Sequence, residues 1–146
     1  MDMNVPSSKL LLTPQSSQEH MTRDSWFGKS DQVVTGPFDY LFSSPGKNIR
    51  SLLMDAFNEW LQVPELQLIK EVVNILHTAS LLIDDIEDNS VLRRGLPVAH
   101  QIFGTAQTIN SANHAYFIAI EKLQELQIPP AYTILIEEMI HLHHGK

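Results

Sequence analysis

The chain contains no cysteine among its 146 residues, which excludes a disulfide framework, a thiolate metal site and a cysteine nucleophile. It is also short of positive charge: 10 Lys and Arg against 17 Asp and Glu give a formal net charge of -7. A general nucleic-acid binder needs a basic surface to meet phosphates, so that class is set aside, although local basic pockets stay open. Long apolar runs are missing as well. Near the N-terminus only Leu10–Leu12 are consecutive apolar residues, far short of a signal-peptide core. The best internal candidate is interrupted by Lys70, Glu71, Asn74 and His77 before it reaches the roughly 18 apolar residues of a membrane span. The expectation is a cytoplasmic protein with no transmembrane segment.

What is present is a modest apolar fraction, 43%, enough for one small core. Residues 1–32 are rich in Ser, Gln, Thr, Asp and Pro without apolar period, and read as a flexible tail that cannot offset its ordering entropy. From Val33 onward the pattern is helical. After the break at Pro45-Gly46, the residues Ile49, Leu52, Leu53, Ala56, Phe57, Trp60 and Leu61 recur at spacings of three and four, one stripe of an amphipathic helix. Pro64 suits the first turn of the next helix, which the pattern runs from about Glu65 to Asn89. Its apolar residues cover most of its circumference, which predicts burial on nearly all sides. Gly95 and Pro97 break the chain, a further helix follows with Thr105 or Thr108 as a possible cap, and Pro129-Pro130 precedes a last one. There is no repeat, no alternating strand pattern and no glycine-rich phosphate loop. The fold class is all-α.

Chemistry concentrates in "HTASLLIDDIEDNSVLRRG", residues 77–95. Asp84 and Asp88 are i and i+4 and share a helix face. Like charges at that spacing repel, and a hard divalent cation would relieve them. Mg2+ takes oxygen ligands and is commonly held by one or two carboxylates plus substrate phosphates. A solvated acidic helix end would present the same residues. Arg93 and Arg94 follow closely enough to fold back towards the carboxylates, and guanidinium forks grip phosphate oxygens in pairs. Lys47 and Arg50 are i and i+3 at a probable helix start, where free N–H groups also favour an anion. His77 lies two turns before Asp84 on roughly the same face.

The segment "DDIEDNSVLRRG" resembles the first aspartate-rich motif of the trans-isoprenyl diphosphate synthases, DDxxD followed by RRG. The flanking "GKNIRSLLMDAFNEWL" and "EEMIHLHHGK" are similar to the geranylgeranyl diphosphate synthases of the fungal and animal type, and the likeness covers about residues 36–146. The resemblance implies an isoprenoid-synthase helical bundle of which 33–146 is the N-terminal half, the C-terminal half being absent. It implies Mg2+ as cofactor and condensation of isopentenyl diphosphate with allylic diphosphates (dimethylallyl, geranyl, farnesyl) to give geranylgeranyl diphosphate. By the same resemblance Asp84 and Asp88 hold the metal, with Asp85 in support, and Arg93 binds the allylic diphosphate. Lys47, Arg50, His77 and Arg94 match the isopentenyl diphosphate pocket. Small residues at Ala79 and Ser80 leave room for a growing chain, and Tyr116 and Phe117 resemble the aromatics that close the pocket deeper down; core packing explains those two as well.

One departure qualifies these expectations. Where relatives read HRGQG, this chain has His143-His144-Gly145-Lys146, and the second aspartate-rich motif of the family lies beyond. The resemblance therefore implies only one wall of the metal cage and little activity from this chain alone. The rival expectation is a non-catalytic truncated paralogue that associates with a full-length synthase, in a family that commonly forms homo-oligomers. A terpene cyclase fits less well, because Lys47, Arg50, His77 and Arg94 would have no isopentenyl diphosphate to bind. His141 and His144 with Glu137 are a further, weaker metal possibility.

Overall fold

The computed structural model describes residues 23–44 and 46–145, with side chains from residue 30 onward. The described chain is all-α: helices α1 (Arg23–Phe42), α2 (Ile49–Leu61), α3 (Leu66–Glu87), α4 (Ala99–Phe103), α5 (Thr105–Leu123) and α6 (Pro129–His143). A two-stranded antiparallel hairpin, β1 (Leu92–Arg93) and β2 (Leu96–Pro97), sits between α3 and α4. No alternating pattern announces it because each strand is only two residues long.

The centre is the packing of α3 on α5. On α3 the buried positions are Val72, Thr78, Ala79, Leu82 and Asp85. On α5 they are Thr108, Ser111, Ala112, Ala115, Ala119 and Leu123. Both sets follow helical spacing, and the small residues on α5 let the two backbones approach closely. Leu41, Leu82, Ala99 and Ala112 form one buried cluster; Val72, Ala119 and Leu123 form another, flanked by Ala131, Tyr132 and Leu135 of α6. Ion pairs tie the ends together, Lys70 to Asp55 of α2 at 2.8 Å and Lys122 of α5 to Glu71 at 2.9 Å.

Helix α1 carries Pro37 in its interior. Proline cannot donate to the carbonyl four residues back, and here the Gln107 side chain donates to that freed Val33 carbonyl instead. The next amide, Phe38 N–H, donates to Ser111 Oγ at 3.2 Å, so the proline converts an internal helix defect into two bonds to α5. Helix α2 ends because Gln62 turns left-handed (φ 51°) with its N–H on the Asn58 carbonyl. Asn58 Oδ1 also accepts from Val63 N–H at 2.8 Å.

Of the segment read as a tail, 1–32, residues 1–22 lie outside the described residues and α1 begins at Arg23. Three other expectations change. The stripe of α2 is exposed rather than covered: Ile49, Leu52, Leu53, Phe57, Trp60 and Leu61 are all open, Trp60 at 79%. Helix α3 is buried along one stripe and not all round; by length and composition it would suffice to cross a membrane, with 22% of that window buried. Neither Thr105 nor Thr108 caps α5 through its side chain: Gly104 occupies the cap position, and Thr108 Oγ1 donates to the Gly104 carbonyl at 2.9 Å.

Candidate functional site

The hairpin explains how two adjacent arginines serve different places. Leu92 pairs with Pro97 and Arg93 with Leu96, leaving Arg94-Gly95 as a two-residue loop with φ of 55° and 82°. Positive φ at both loop positions suits the tight hairpin turn whose twist matches the strands, and glycine takes the second without strain. Tyr40 Oη anchors the hairpin to α1 by donating to the Pro97 carbonyl at 2.8 Å. Arg93 ends β1 whereas Arg94 opens the left-handed turn, and the two side chains diverge.

Arg93 turns to the end of α3. Its Nε and Nη2 donate to Asp85 Oδ1 at 2.8 and 2.6 Å, and Nη2 also donates to Asp84 Oδ2 at 2.6 Å. Asp85 is 2% exposed, whereas the Asp84 side chain is 51% exposed. The bonds to Asp85 and then to Asp84 push the arginine further up, against the burial that opposes them, so it stays charged. Glu87 and Asp88, at the same helix end, have no ion-pair partner among the described residues. A helix C-terminus carries partial negative charge, so carboxylates are unfavourable there until a cation joins them.

Arg94 turns the other way. Its Nη1 donates to the Ser44 carbonyl, and its guanidinium lies over Gly46, where an added Cβ would come within 3.0 Å of Nη2. It lines a cavity of about 450 Å³ with Phe42, Ser44, Gly46, Lys47, Asn48, Ile49, Arg50, Asn74, His77 and Thr78. All four residues expected for one diphosphate pocket, Lys47, Arg50, His77 and Arg94, therefore meet in one cavity, and no carboxylate lines it. Burial lowers the His77 pKa, and the charges of Arg50, Arg94 and Arg93 lower it further, so its ring is neutral near pH 7 in the empty site.

A second cavity, of about 430 Å³, shares Arg50 and His77 with the first and adds Ser80, Leu81, Ile83, Asp84, Glu87, Tyr116, Leu142 and His143. Ser80 and Tyr116 both line it, and Ser80 Oγ donates back to the His77 carbonyl at 2.8 Å. Burial, and then the charge of Glu87, raise the Tyr116 pKa. Ala79 and Phe117 are not brought here. Ala79 is fully buried on the α3–α5 face and Phe117 is 71% exposed on α5; both follow from helical phase, one residue away from a cavity-lining neighbour. Asp88 lines neither cavity and is exposed at the α3 C-cap. Among the described residues no three His, Cys, Asp or Glu side chains group closely enough to hold a metal; Asp84 and Asp88 offer part of a coordination shell, and the histidines of α6 are otherwise engaged, His141 near Glu138 at 3.6 Å and His143 Nδ1 at 2.7 Å from the Met139 carbonyl.

Sequence reasoning missed Asn74 and Thr78, which flank His77 at one-turn and adjacent spacing on α3, and Gly46, whose lack of a side chain admits Arg94. The position of Gly46 directly before Lys47 was a signal without a reason until Arg94 was placed above it.

A family profile for polyprenyl synthetases matches residues 31–146. A geranylgeranyl pyrophosphate synthase of Penicillium canescens is 61% identical over 80% of this chain and 35% of its own length. One from Aspergillus flavus is 54% identical over 100% of the chain and 44% of its own length. A copalyl diphosphate synthase of Talaromyces verruculosus is 53% identical over 89% of the chain but 14% of its own length. The chain thus spans less than half the length of these relatives. With Lys47, Arg50, His77, Asp84 and Arg94 lining two adjoining cavities and the profile match running from within α1 to the last residue, the chain belongs to the polyprenyl synthetase family.

Proposed function

We propose that this chain carries the isopentenyl diphosphate pocket and one metal-binding wall of a geranylgeranyl diphosphate synthase. The observation that carries the reading is the cationic cavity built from Lys47, Arg50, His77 and Arg94, joined through Arg50 and His77 to a second cavity containing Asp84. Guanidinium and ammonium groups without internal carboxylates suit a diphosphate. The second cavity suits an allylic substrate, with Asp84, to which Arg93 is bonded, at its diphosphate end and Leu81, Ile83, Tyr116 and Leu142 along its isoprenoid chain.

The donor set at the α3 end fits a hard divalent cation such as Mg2+, because exposed carboxylate oxygens at a helix C-terminus lack sufficient counter-charge. Asp84 and Asp88 would hold it, with water and substrate phosphate completing the shell. When bound, such an ion supplies positive charge that stabilises the departing diphosphate. The chain's own residues do the rest by positioning and electrostatics. Arg50, Lys47 and Arg94 fix one diphosphate, Arg93 supplies charge to the other, and the shared wall sets the two substrates side by side. The double bond of isopentenyl diphosphate then attacks the allylic carbocation, and proton loss leaves a chain one isoprene unit longer.

A second reading is association with a full-length synthase, supported by the exposed apolar stripe of α2 and by Phe117. Incubating the chain with Mg2+, farnesyl diphosphate and labelled isopentenyl diphosphate, with and without a full-length synthase, separates the two. Labelled geranylgeranyl diphosphate from the chain alone establishes the catalytic reading. An effect seen only on the added synthase establishes the associative one, and failure to bind either diphosphate rejects the first.

A further inference from the structure

The resemblance gives Arg93 a role towards substrate, yet its guanidinium is already committed to two carboxylates. Its three bonds are unequal in kind. The two to Asp85 reach a carboxylate that is 2% exposed, and a buried charge stripped of its partner is strongly destabilising. That contact is an anchor. The third, from Nη2 to Asp84, meets a carboxylate that is 51% exposed, and ion pairs in such settings are weak and readily exchanged. Nη1 makes no hydrogen bond among the described residues.

From this asymmetry we propose that Asp85 is a positioning residue that docks Arg93 against Asp84, so that the guanidinium and a divalent cation compete for the same carboxylate. Arg93 serves as the resident counter-charge of Asp84 until a diphosphate draws Nη2 off that carboxylate, Nε keeping its bond to Asp85, and Asp84 then opens to the cation. Nη1 is the donor left to make first contact with that anion. Metal and diphosphate uptake become coupled through one side chain, and the coupling is reciprocal. The inference rests on the functional reading above for the divalent cation at Asp84 and for the identity of the anion.

The test is titration of the full chain with Mn2+ alone, followed by electron paramagnetic resonance of the free ion. Two variants are compared with the native chain. R93K keeps the charge, but a single ammonium cannot span both carboxylates as the planar fork does. The double variant R93Q/D85N removes the buried charge together with its partner, leaving the net charge unchanged and no orphaned carboxylate. Both are expected to bind Mn2+ roughly two- to fivefold more tightly than the native chain, the range a partly exposed ion pair allows. Affinity equal to or below native in the double variant, with its helical circular dichroism retained, overturns the proposal. A merely structural Arg93 would weaken binding on replacement and could not strengthen it. Binding of inorganic pyrophosphate without metal reports separately on the cationic cavity; its absence defeats the functional reading while the Mn2+ comparison still decides the role of Arg93.

Discussion

The two cavities share Arg50 and His77 as a common wall, yet one is lined by cations without a carboxylate and the other contains Asp84 and Glu87. The contrast arises within two turns of α3 and one tight hairpin. Helical phase carries His77, Ser80 and Asp84 along neighbouring positions of a single surface, and the Arg94-Gly95 turn sends one arginine to each end. Opposite charge preferences thus need no separate domains; they need a rigid helix and one turn with left-handed backbone.

That dependence on a common support is the first thing to break. Leu82 is fully buried on α3, the helix that contributes residues to both cavities, in the cluster with Leu41, Ala99 and Ala112. Leu82→Ala should cost about 2–5 kcal/mol of stability, read from urea unfolding, and should abolish pyrophosphate and Mn2+ binding together at temperatures where the native chain stays folded. Loss of only one would show that the two cavities do not share that support.

A smaller effect should separate the cavities. Arg50 is exposed and makes no ion pair among the described residues, so Arg50→Glu should leave the melting temperature nearly unchanged. A charge-assisted bond to an ionised partner is worth roughly 1.5–3 kcal/mol, so pyrophosphate affinity should fall by tenfold to more than a hundredfold in calorimetry. Gly46→Ala is milder. The new methyl would lie 3.0 Å from Arg94 Nη2 and 3.1 Å from its Cζ, and the guanidinium can swing aside at little cost to stability. Displaced from the Ser44 carbonyl, it should weaken pyrophosphate binding only about threefold, within the range of a single neutral-strength hydrogen bond. Mn2+ binding at the acidic end should not change. A loss as large as that of Arg50→Glu would mean that Gly46 supports the loop rather than the arginine.

The same contrast shows what was legible in the sequence. Lys47, Arg50, His77 and Arg94 are scattered over the α1–α2 loop, α2, α3 and the hairpin, and only the resemblance joined them; their meeting in one cavity needed all four to be placed. The α3 stripe was legible because Val72, Ala79 and Leu82 repeat at helical spacing. That this stripe and not the whole circumference is buried was not, because periodicity reports which residues are apolar and not what lies against them. The α2 stripe fails for the same reason: its spacing marks a face suited to burial, while Trp60 remains 79% exposed. Asp84 and Asp85 look equivalent in "DDIED", and only a rotation of about 100° along the helix makes one an open ligand and the other a buried socket for Arg93. Pro37 sits inside α1 because Gln107 and Ser111 supply the bonds it disrupts.

The subtlest effect lies in the shared wall itself. Burial, then Arg50, Arg94 and Arg93, hold the His77 pKa below its ordinary 6.5. The unfolded chain therefore binds more protons at this position than the folded one between those two values, and stability contributed by the neutral ring is lost as pH falls through about 6.5. A diphosphate in the cavity brings negative charge that offsets the three arginines, which raises the pKa again. Binding should then take up a fraction of a proton near pH 6 and almost none above about pH 8, where the ring stays neutral in both states. Calorimetry of pyrophosphate binding in two buffers of different ionisation enthalpy measures that uptake directly, and His77→Gln should remove it. Uptake that persists unchanged in His77→Gln would assign the proton to the pyrophosphate or another group, and the shared wall would then be a steric partition with no electrostatic link between the two substrates.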